Sequence, residues 1–466
     1  MINLTCFRNE GNNFMNTRTR RIAIVCQPWD NVRLESENSV VTTSYQLARC
    51  LARDWHVTIY GRRKPGQKRC EFDGSSIEFK RLSVRKPQQL MEKLISMIAC
   101  YTERRVTYIL SIWNHLFYAV RVAISIRSLK YDIVHVHNFL QFAFLIKFLN
   151  PATTICLHMH CEWLRRFATE RRLRKIDLII GVSDYITEGT KARFPAIADR
   201  CHTVYNGVDS FHFSPSSSQI KGQQRLLFLG RVSPEKGVHV LIQAFKILAD
   251  SRSPGITGSS LHLDIVGDTE IPPYIYFLPD PEDPVIAGLR PFYGQRLSEI
   301  VRRQLTLKGQ TSYWDDLVAA AAGDDRIVFH GAVAYAQTID LYRRAAVMVI
   351  PSVCNEAFSL PASEAAACGL AVVATRGGGI PEVVEHGKTG ILVARGDAKE
   401  LALAISQVID NPALARAMGE AGRRRMLERF TWEASARHLA DLIESVSGAS
   451  GSQSARRSRQ RTAHQL

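Results

Sequence analysis

The chain has 466 residues, enough for two or three domains with cores of their own, and its hydrophobic share of 46% is that of a globular protein. A formal net charge of +16 asks for an acidic partner: nucleic acid, a phosphorylated ligand or an anionic membrane surface. No apolar run reaches the roughly 18–20 residues of a membrane span and no apolar leader opens the sequence; ten cysteines without a C-x-x-C pair argue against a disulfide framework and for a reducing cytoplasm.

Residues 1–19 are polar and patternless and are expected to be disordered. RIAIVC (21–26) reads as a buried strand, SVVTTSYQLARCLARD (39–54) as a helix and HVTIYG (56–61) as the next strand. YDIVHVH (131–137), TTICLHMH (153–160) and DLIIGVS (177–183) are further short β-branched runs, and HTVYNGVD (202–209) closes a first half, 20–211. The stretch 212–224, rich in Ser, Gln and Pro, reads as a linker. The pattern then restarts. RLLFLG (225–230) is a strand and VHVLIQAFKILAD (238–250) a helix. Strands follow at LHLDIVGD (261–268), RIVFHG (326–331), AVMVIPS (346–352), LAVVAT (370–375) and GILV (390–393), within a second half, 225–429. The tail 447–466 carries four arginines and no acid and is expected to be disordered. Two α/β halves joined by a linker put a cleft between them.

The second half carries the chemistry. In NEAFSLPASEAAACGLAVVATRGGGIPEVVEHGKTG (355–390), Glu356 and Glu364 flank Pro361, which fits an early helix position, so Glu364 is expected in about the first turn of a helix over 360–368. RGGGIPEVVEHG repeats the glycine turn, proline and short helix. Two helix N-termini from adjacent crossovers suit a phosphate, and carboxylates beside them can accept hydrogen bonds from ribose or sugar hydroxyls. The simpler alternative is that each glutamate only complements a helix dipole. GRVSPEKG (230–237) opens another helix; its Arg231 and Lys236 can bind a diphosphate, with Gly230 and Gly237 permitting close backbone approach. It is neither G-x-G-x-x-G nor a Walker A loop.

LGRVSPEKG, NEAFSLPASEAAACGLAVVAT, GGGIPEVVEHGKTGILV and ERFTWEASARHL together closely resemble the second domain of family 4 glycosyltransferases, and YDIVHVHN, GVSDYI and VYNGVD are consistent with the first. The resemblance spans roughly residues 20–446. It implies an α/β protein of GT-B fold: two Rossmann-like domains facing a central cleft, with a C-terminal helix crossing back to the first domain, here 430–446. It implies a retaining enzyme that uses a UDP- or GDP-sugar donor and needs no metal or other cofactor. Carried over, Glu356 contacts the donor sugar, Glu364 binds the ribose hydroxyls, and Arg231 and Lys236 neutralise the diphosphate. The backbone around Phe358, Ser359 and Leu360 matches the loop that touches phosphate and sugar. A glycan, lipid-linked or small-molecule acceptor, and a role in cell-surface polysaccharide or glycoconjugate synthesis, follow as expectations of the same kind.

The first half is expected to supply the acceptor site and a histidine. Alternation in CLHMHCEWL (156–164) puts Cys156, His158 and His160 on one face. That set lacks a full complement of ligands and matches no common zinc spacing, so no metal is expected. His160 lies at the C-terminal end of its strand, where α/β clefts form, and matches the family histidine near the donor sugar; it is the catalytic candidate beside Glu356. His158 and His135 read as core, and His137 as a weaker cleft candidate. The family's glycine-rich loop after the first strand is replaced by QPWDNVRLESENSV (27–40), in which Asn38 and Ser39 stand at the helix start and can contact phosphate or acceptor. Residues 269–325 form an insert longer than a simple helical crossover.

Basic residues concentrate in WLRRFATERRLRK (163–175), in the tail and in 81–130. The segment 81–130 reads either as helices packed on the first sheet or as a peripheral membrane surface reaching a lipid-linked acceptor at the cytoplasmic face. No RRM, KH, zinc-finger or helix-turn-helix signature supports nucleic-acid binding. A nucleotide-sugar epimerase of the same architecture is the alternative enzyme, and the linked GRVSPEKG and two-glutamate motifs argue against it.

Overall fold

A computed structural model describes residues 20–28, 30, 39–63, 66–73, 76–83, 104–162, 169–216, 224–252, 261–269, 283–289, 292 and 313–463. Residues 1–19, Asn38, the linker positions 217–223 and most of the insert lie outside these. Fourteen strands fall in two sheets among the described residues.

The first sheet holds β1 (Arg21–Val25), β2 (His56–Arg62), β3 (Cys70–Phe72), β4 (Ile77–Leu82), β5 (Ile133–His137), β6 (Thr154–Met159), β7 (Leu178–Gly181) and β8 (Cys201–Thr203). Their order is β3-β4-β2-β1-β5-β6-β7-β8, parallel except for β3. The second holds β9 (Gln224–Leu229), β10 (Leu261–Val266), β11 (Ile327–Gly331), β12 (Val347–Ile350), β13 (Val372–Thr375) and β14 (Gly390–Val393). Its order, β11-β10-β9-β12-β13-β14, is parallel throughout. Strands buried on both faces by crossover helices read as continuous apolar runs, which is why IAIV, IVHV and VMVI were legible as strands.

Strand order reverses between β1 and β5 in one sheet and between β9 and β12 in the other. A crevice opens at such a point because the flanking crossovers leave on opposite faces. The chain stretches after β9 and β12 carry Gly230–Gly237 and Ser352–Ser359, so the topology brings the sequence motifs together. Gly237 stands in the left-handed region at φ 73°, and a Cβ there would meet the Pro351 carbonyl oxygen at 2.0 Å. Only glycine lets these two turns close on one another.

The domains also touch. The Glu382 carboxylate accepts hydrogen bonds from the backbone N–H groups of Asp184 and Tyr185 at 2.7 and 2.8 Å, at the start of the first-domain helix Asp184–Arg193. One apolar cluster contains Val136, Phe139 and Val182 of the first domain together with Phe358, Ala362 and Ile380 of the second.

Several expectations shift. The C-terminal helix runs Trp432–Ala463, beyond 446, so the tail is not an irregular segment. Between 447 and 463 it holds five serines and two glycines, weak helix formers, beside four arginines and three alanines, and the absence of proline permits continuation as far as Ala463. Trp432, Leu439 and Ile443 are buried with Val41, Leu47 and Leu51 of the helix Ser39–Leu51, so this element does cross to the first domain. The linker is anchored at its start: Phe213 is fully buried against Tyr342, and β9 already begins at Gln224. In the segment 81–130, the helix Arg104–Leu129 buries Tyr118, Ala119, Val122, Ala123 and Ile126 in the core, which supports packing on the sheet for this part; residues 84–103 lie outside the described set. Among the described residues no helix is long and apolar enough to cross a membrane.

Candidate active site

Lys236 ends the short helical turn Pro234–Lys236, and Glu356 follows β12. The Lys236 ammonium donates to Glu356 Oε1 at 2.6 Å, and Ser352 Oγ donates to the same oxygen at 2.6 Å. The two side chains are only 22% and 14% exposed, so the pair is little screened. Burial pulls the Lys236 ammonium down, but the Glu356 charge, Cys354 and the hydrogen bond to Glu356 together outweigh burial and the opposing Arg231 and hold it above its ordinary value. The backbone of Glu356 is fixed as well: its carbonyl accepts from Gly379 N at 2.7 Å, and a Cβ on Gly378, at φ 59°, would lie 2.0 Å from it. The turns after β9, β12 and β13 therefore meet at one residue, Glu356.

Phe358 is buried and its ring lies 6.0 Å from that of Phe430. Ser359 is the N-cap of the helix Leu360–Ala367, and its hydroxyl makes no cap hydrogen bond. This leaves the first amides of an eight-residue helix available to an anion. Glu364 is the fifth residue of this helix, just past the first turn and close to where the sequence pattern puts it. It does not complement the helix terminus. It is 5% exposed and accepts from the Tyr342 hydroxyl at 2.7 Å. Burial pushes its carboxyl up to about 7, and hydrogen bonds from Tyr342 and Tyr335 hold it partly down.

On the facing domain, Asn138 adopts φ 61° just past β5, a conformation that Asn tolerates better than most residues. Its amide donates to Gln27 Oε1 at 3.2 Å and its carbonyl accepts from His160 N at 2.7 Å. The segments after β1, β5 and β6 are thereby tied together. His160 is partly exposed at the mouth, and its Nε2 lies 2.7 Å from His137 Nδ1. Burial, then His135, hold its ring at about 3, so it is a neutral imidazole at neutral pH. His137 is completely buried behind it and does not face the open cleft. Ser39 opens the helix Ser39–Leu51 and is exposed; Asn38 lies outside the described residues.

Sequence patterns did not reveal Tyr335, Tyr342, Asn138 or Glu382, since each acts through a partner distant along the chain, nor Ser352, whose bond to Glu356 four residues on depends on how the turn folds. The insert also reaches this region. Asp283 pairs with Arg395 at 2.6 Å, and Arg395 donates to the Val353 carbonyl at 3.2 Å.

Comparison with known proteins decides the family. Residues 40–210 match the model of Glycosyltransferase Family 4, and residues 211–425 that of Glycosyl transferases group 1. The chain belongs to glycosyltransferase family 4. It is 25% identical over 347 residues to spore coat protein SA of Bacillus subtilis, covering 70% of this chain and 82% of that protein. It is 31% identical over 248 residues to a D-inositol 3-phosphate glycosyltransferase of Streptomyces avermitilis, covering 51% and 45%. Among solved structures, sucrose-phosphate synthase from Thermosynechococcus elongatus aligns with a TM-score of 0.61 at 22% identity, covering 92% of this chain and 100% of that one. Anabaena Alr3699/HepE in complex with UDP and glucose aligns with a TM-score of 0.61 at 17% identity, covering 91% and 100%. These likenesses show the GT-B fold.

The buried Glu364 carboxyl gives a pH signature. Its folded pKa of about 7 exceeds the unfolded value of 4.5, so between these the native state holds a proton that the unfolded state has lost. Stability from this group is present at low pH and falls as pH rises through 7. Glu364→Gln lacks that loss. Its stability relative to wild type in urea unfolding should rise by on the order of 2–3 kcal/mol from pH 4.5 to 8. A constant difference across that range would show an ordinary, solvated carboxylate.

Proposed function

We propose that this glycosyltransferase moves a sugar from a UDP- or GDP-sugar to a glycan, lipid-linked or small-molecule acceptor, with retention at the anomeric carbon. The observation that carries the reading is the Lys236–Glu356 pair at the strand-order reversal, beside the uncapped helix start at Ser359. When the donor's glycosyl–phosphate bond breaks, negative charge grows on the leaving diphosphate. Lys236, Arg231 and the amides of the helix start stabilise that charge. With two cations serving the diphosphate, the transfer itself is proposed to need no metal. Glu356, held by Ser352 as Lys236 turns to phosphate, accepts hydrogen bonds from the sugar hydroxyls. Glu364 accepts from the ribose, sharing its carboxylate with Tyr342. His160, neutral and presented at the mouth of the facing domain, orients the sugar. In front-face retention the leaving phosphate takes the acceptor's proton.

Support for a nucleotide-sugar donor comes from a fold neighbour bound to UDP and glucose. A role in cell-surface polysaccharide synthesis at the cytoplasmic face rests on the family resemblance.

The two glutamates should differ in kind. A hydrogen bond to a charged group contributes about 1.5–3 kcal/mol, so Glu364→Ala should weaken binding of UDP or GDP roughly ten- to a hundredfold and act mainly on KM. Glu356→Ala should bind the same nucleotide close to wild type and lose turnover instead. Calorimetry with whichever nucleotide raises the wild-type melting temperature reads this directly. Wild-type binding and turnover in both variants would reduce the glutamates to structural charges.

A lipid-linked acceptor requires contact with an anionic surface. The basic tail and the exposed Phe117 and Ile124 are the features that would make it. The protein should then sediment with phosphatidylserine vesicles and not with phosphatidylcholine vesicles, and salt should release it. Retention in the supernatant with both would leave a soluble acceptor.

A further inference from the structure

Alternation along one strand placed His158 and His160 on the same face; the sheet register adds a second strand to that face. β5 pairs with β6 so that His135 lies opposite Cys156 and His137 opposite His158. His135, His137, His158 and His160 therefore stand side by side on one face of the sheet. Ring centroids are 4.6 Å apart for His135 and His137, 5.0 Å for His135 and His158, and 5.4 Å for His137 and His158. One ring nitrogen from each of His135, His137 and His158 can be chosen so that all lie within 4.8 Å of one another.

Three features distinguish this cluster from histidines that merely fill a core. All three residues are at most 1% exposed; His135 Nε2 and His158 Nδ1 lie 3.0 Å apart, while His135 Nδ1 and His158 Nε2 are buried without a hydrogen-bond partner. A buried, unpaired ring nitrogen is costly, and its presence calls for a partner such as a bound ion. Second, the rings project from paired positions of two adjoining strands, so the sheet register fixes their spacing. Third, His137 has an outer contact of the kind that fixes ring orientation at metal sites. Its Nε2 lies 3.1 Å from Ser44 Oγ, and Ser44 donates in turn to the Val40 carbonyl at 2.7 Å.

We propose that His135, His137 and His158 bind one divalent ion of the zinc, cobalt and nickel class, bracing the C-terminal ends of β5 and β6. A tetrahedral ion with bonds of about 2.0–2.1 Å spaces its ligands about 3.4 Å apart, so the cluster closes modestly around it. With His137 Nε2 held by Ser44, the ion takes His137 Nδ1, so His160, whose Nε2 lies 2.7 Å from that atom, gives way to it at the mouth of the cleft. The brace is separate from the diphosphate-binding turns of the second domain, and it holds whether or not the chain transfers a sugar.

The test uses the full chain stripped with a chelator and titrated with Co2+. Wild type should bind one Co2+ per chain with visible absorption bands of a tetrahedral site, and Zn2+ should abolish them. His135→Gln and His158→Gln should each weaken Co2+ binding at least about 100-fold, whereas His202→Gln should bind like wild type. Far-UV circular dichroism establishes that the variants are folded; should they not fold, the wild-type titration decides alone. Absence of stoichiometric Co2+ binding by wild type, or unchanged binding by folded His135→Gln and His158→Gln, would overturn the site.

Discussion

Lys236 and Glu356 come from turns 120 positions apart in the chain, and their charges meet at 2.6 Å where the second sheet reverses its strand order. Opposite charges with little solvent access must stay paired, because isolating either leaves a desolvated charge worth several kcal/mol. The pairing fixes the turns after β9 and β12, and Gly237 and Gly378 supply the close backbone approach that it requires. A donor diphosphate can take over the role of Glu356 toward Lys236, and the sugar hydroxyls the role of Lys236 toward Glu356. In the proposed reading, the site is thus held in shape by the charges that the ligand engages.

The facing domain solves the same problem with neutral groups. Asn138 ties three strand ends together through amide hydrogen bonds, and the histidines behind it are held uncharged by burial. The contrast follows from what each side meets. Diphosphate requires fixed cations, whereas a sugar ring offers hydroxyls that neutral donors and acceptors read at lower desolvation cost. Glu382 reaching the amides of Asp184 and Tyr185 sets the two surfaces against one another.

Much of the frame is legible because buried parallel strands are short β-branched runs, and the eleven runs that the pattern marks coincide with strands. The exceptions have physical causes. β3 is exposed and antiparallel at the sheet edge, and β4 alternates IEFKRL with charged residues, so neither makes an apolar run. The position of Glu364 just past the first helical turn is legible from Pro361. Its burial against Tyr342 depends on a helix from another crossover, which local spacing does not encode. The histidine cluster was half visible: period two gives one strand's face, and only the register of β5 on β6 supplies the other. The tail differs for another reason: it has neither an apolar period nor strong helix formers to announce the helix that continues to Ala463.

The central claim is that this cleft cleaves a nucleotide-sugar at the anomeric carbon from the face at which the new bond forms. Proton NMR of the anomeric region, recorded from the first minutes after wild-type enzyme is mixed with an α-linked nucleotide-sugar, tests it most directly. The account predicts that nucleoside diphosphate appears together with an α-configured product before mutarotation sets in. A β-configured first product, or a changed sugar still joined to its nucleotide, would contradict it.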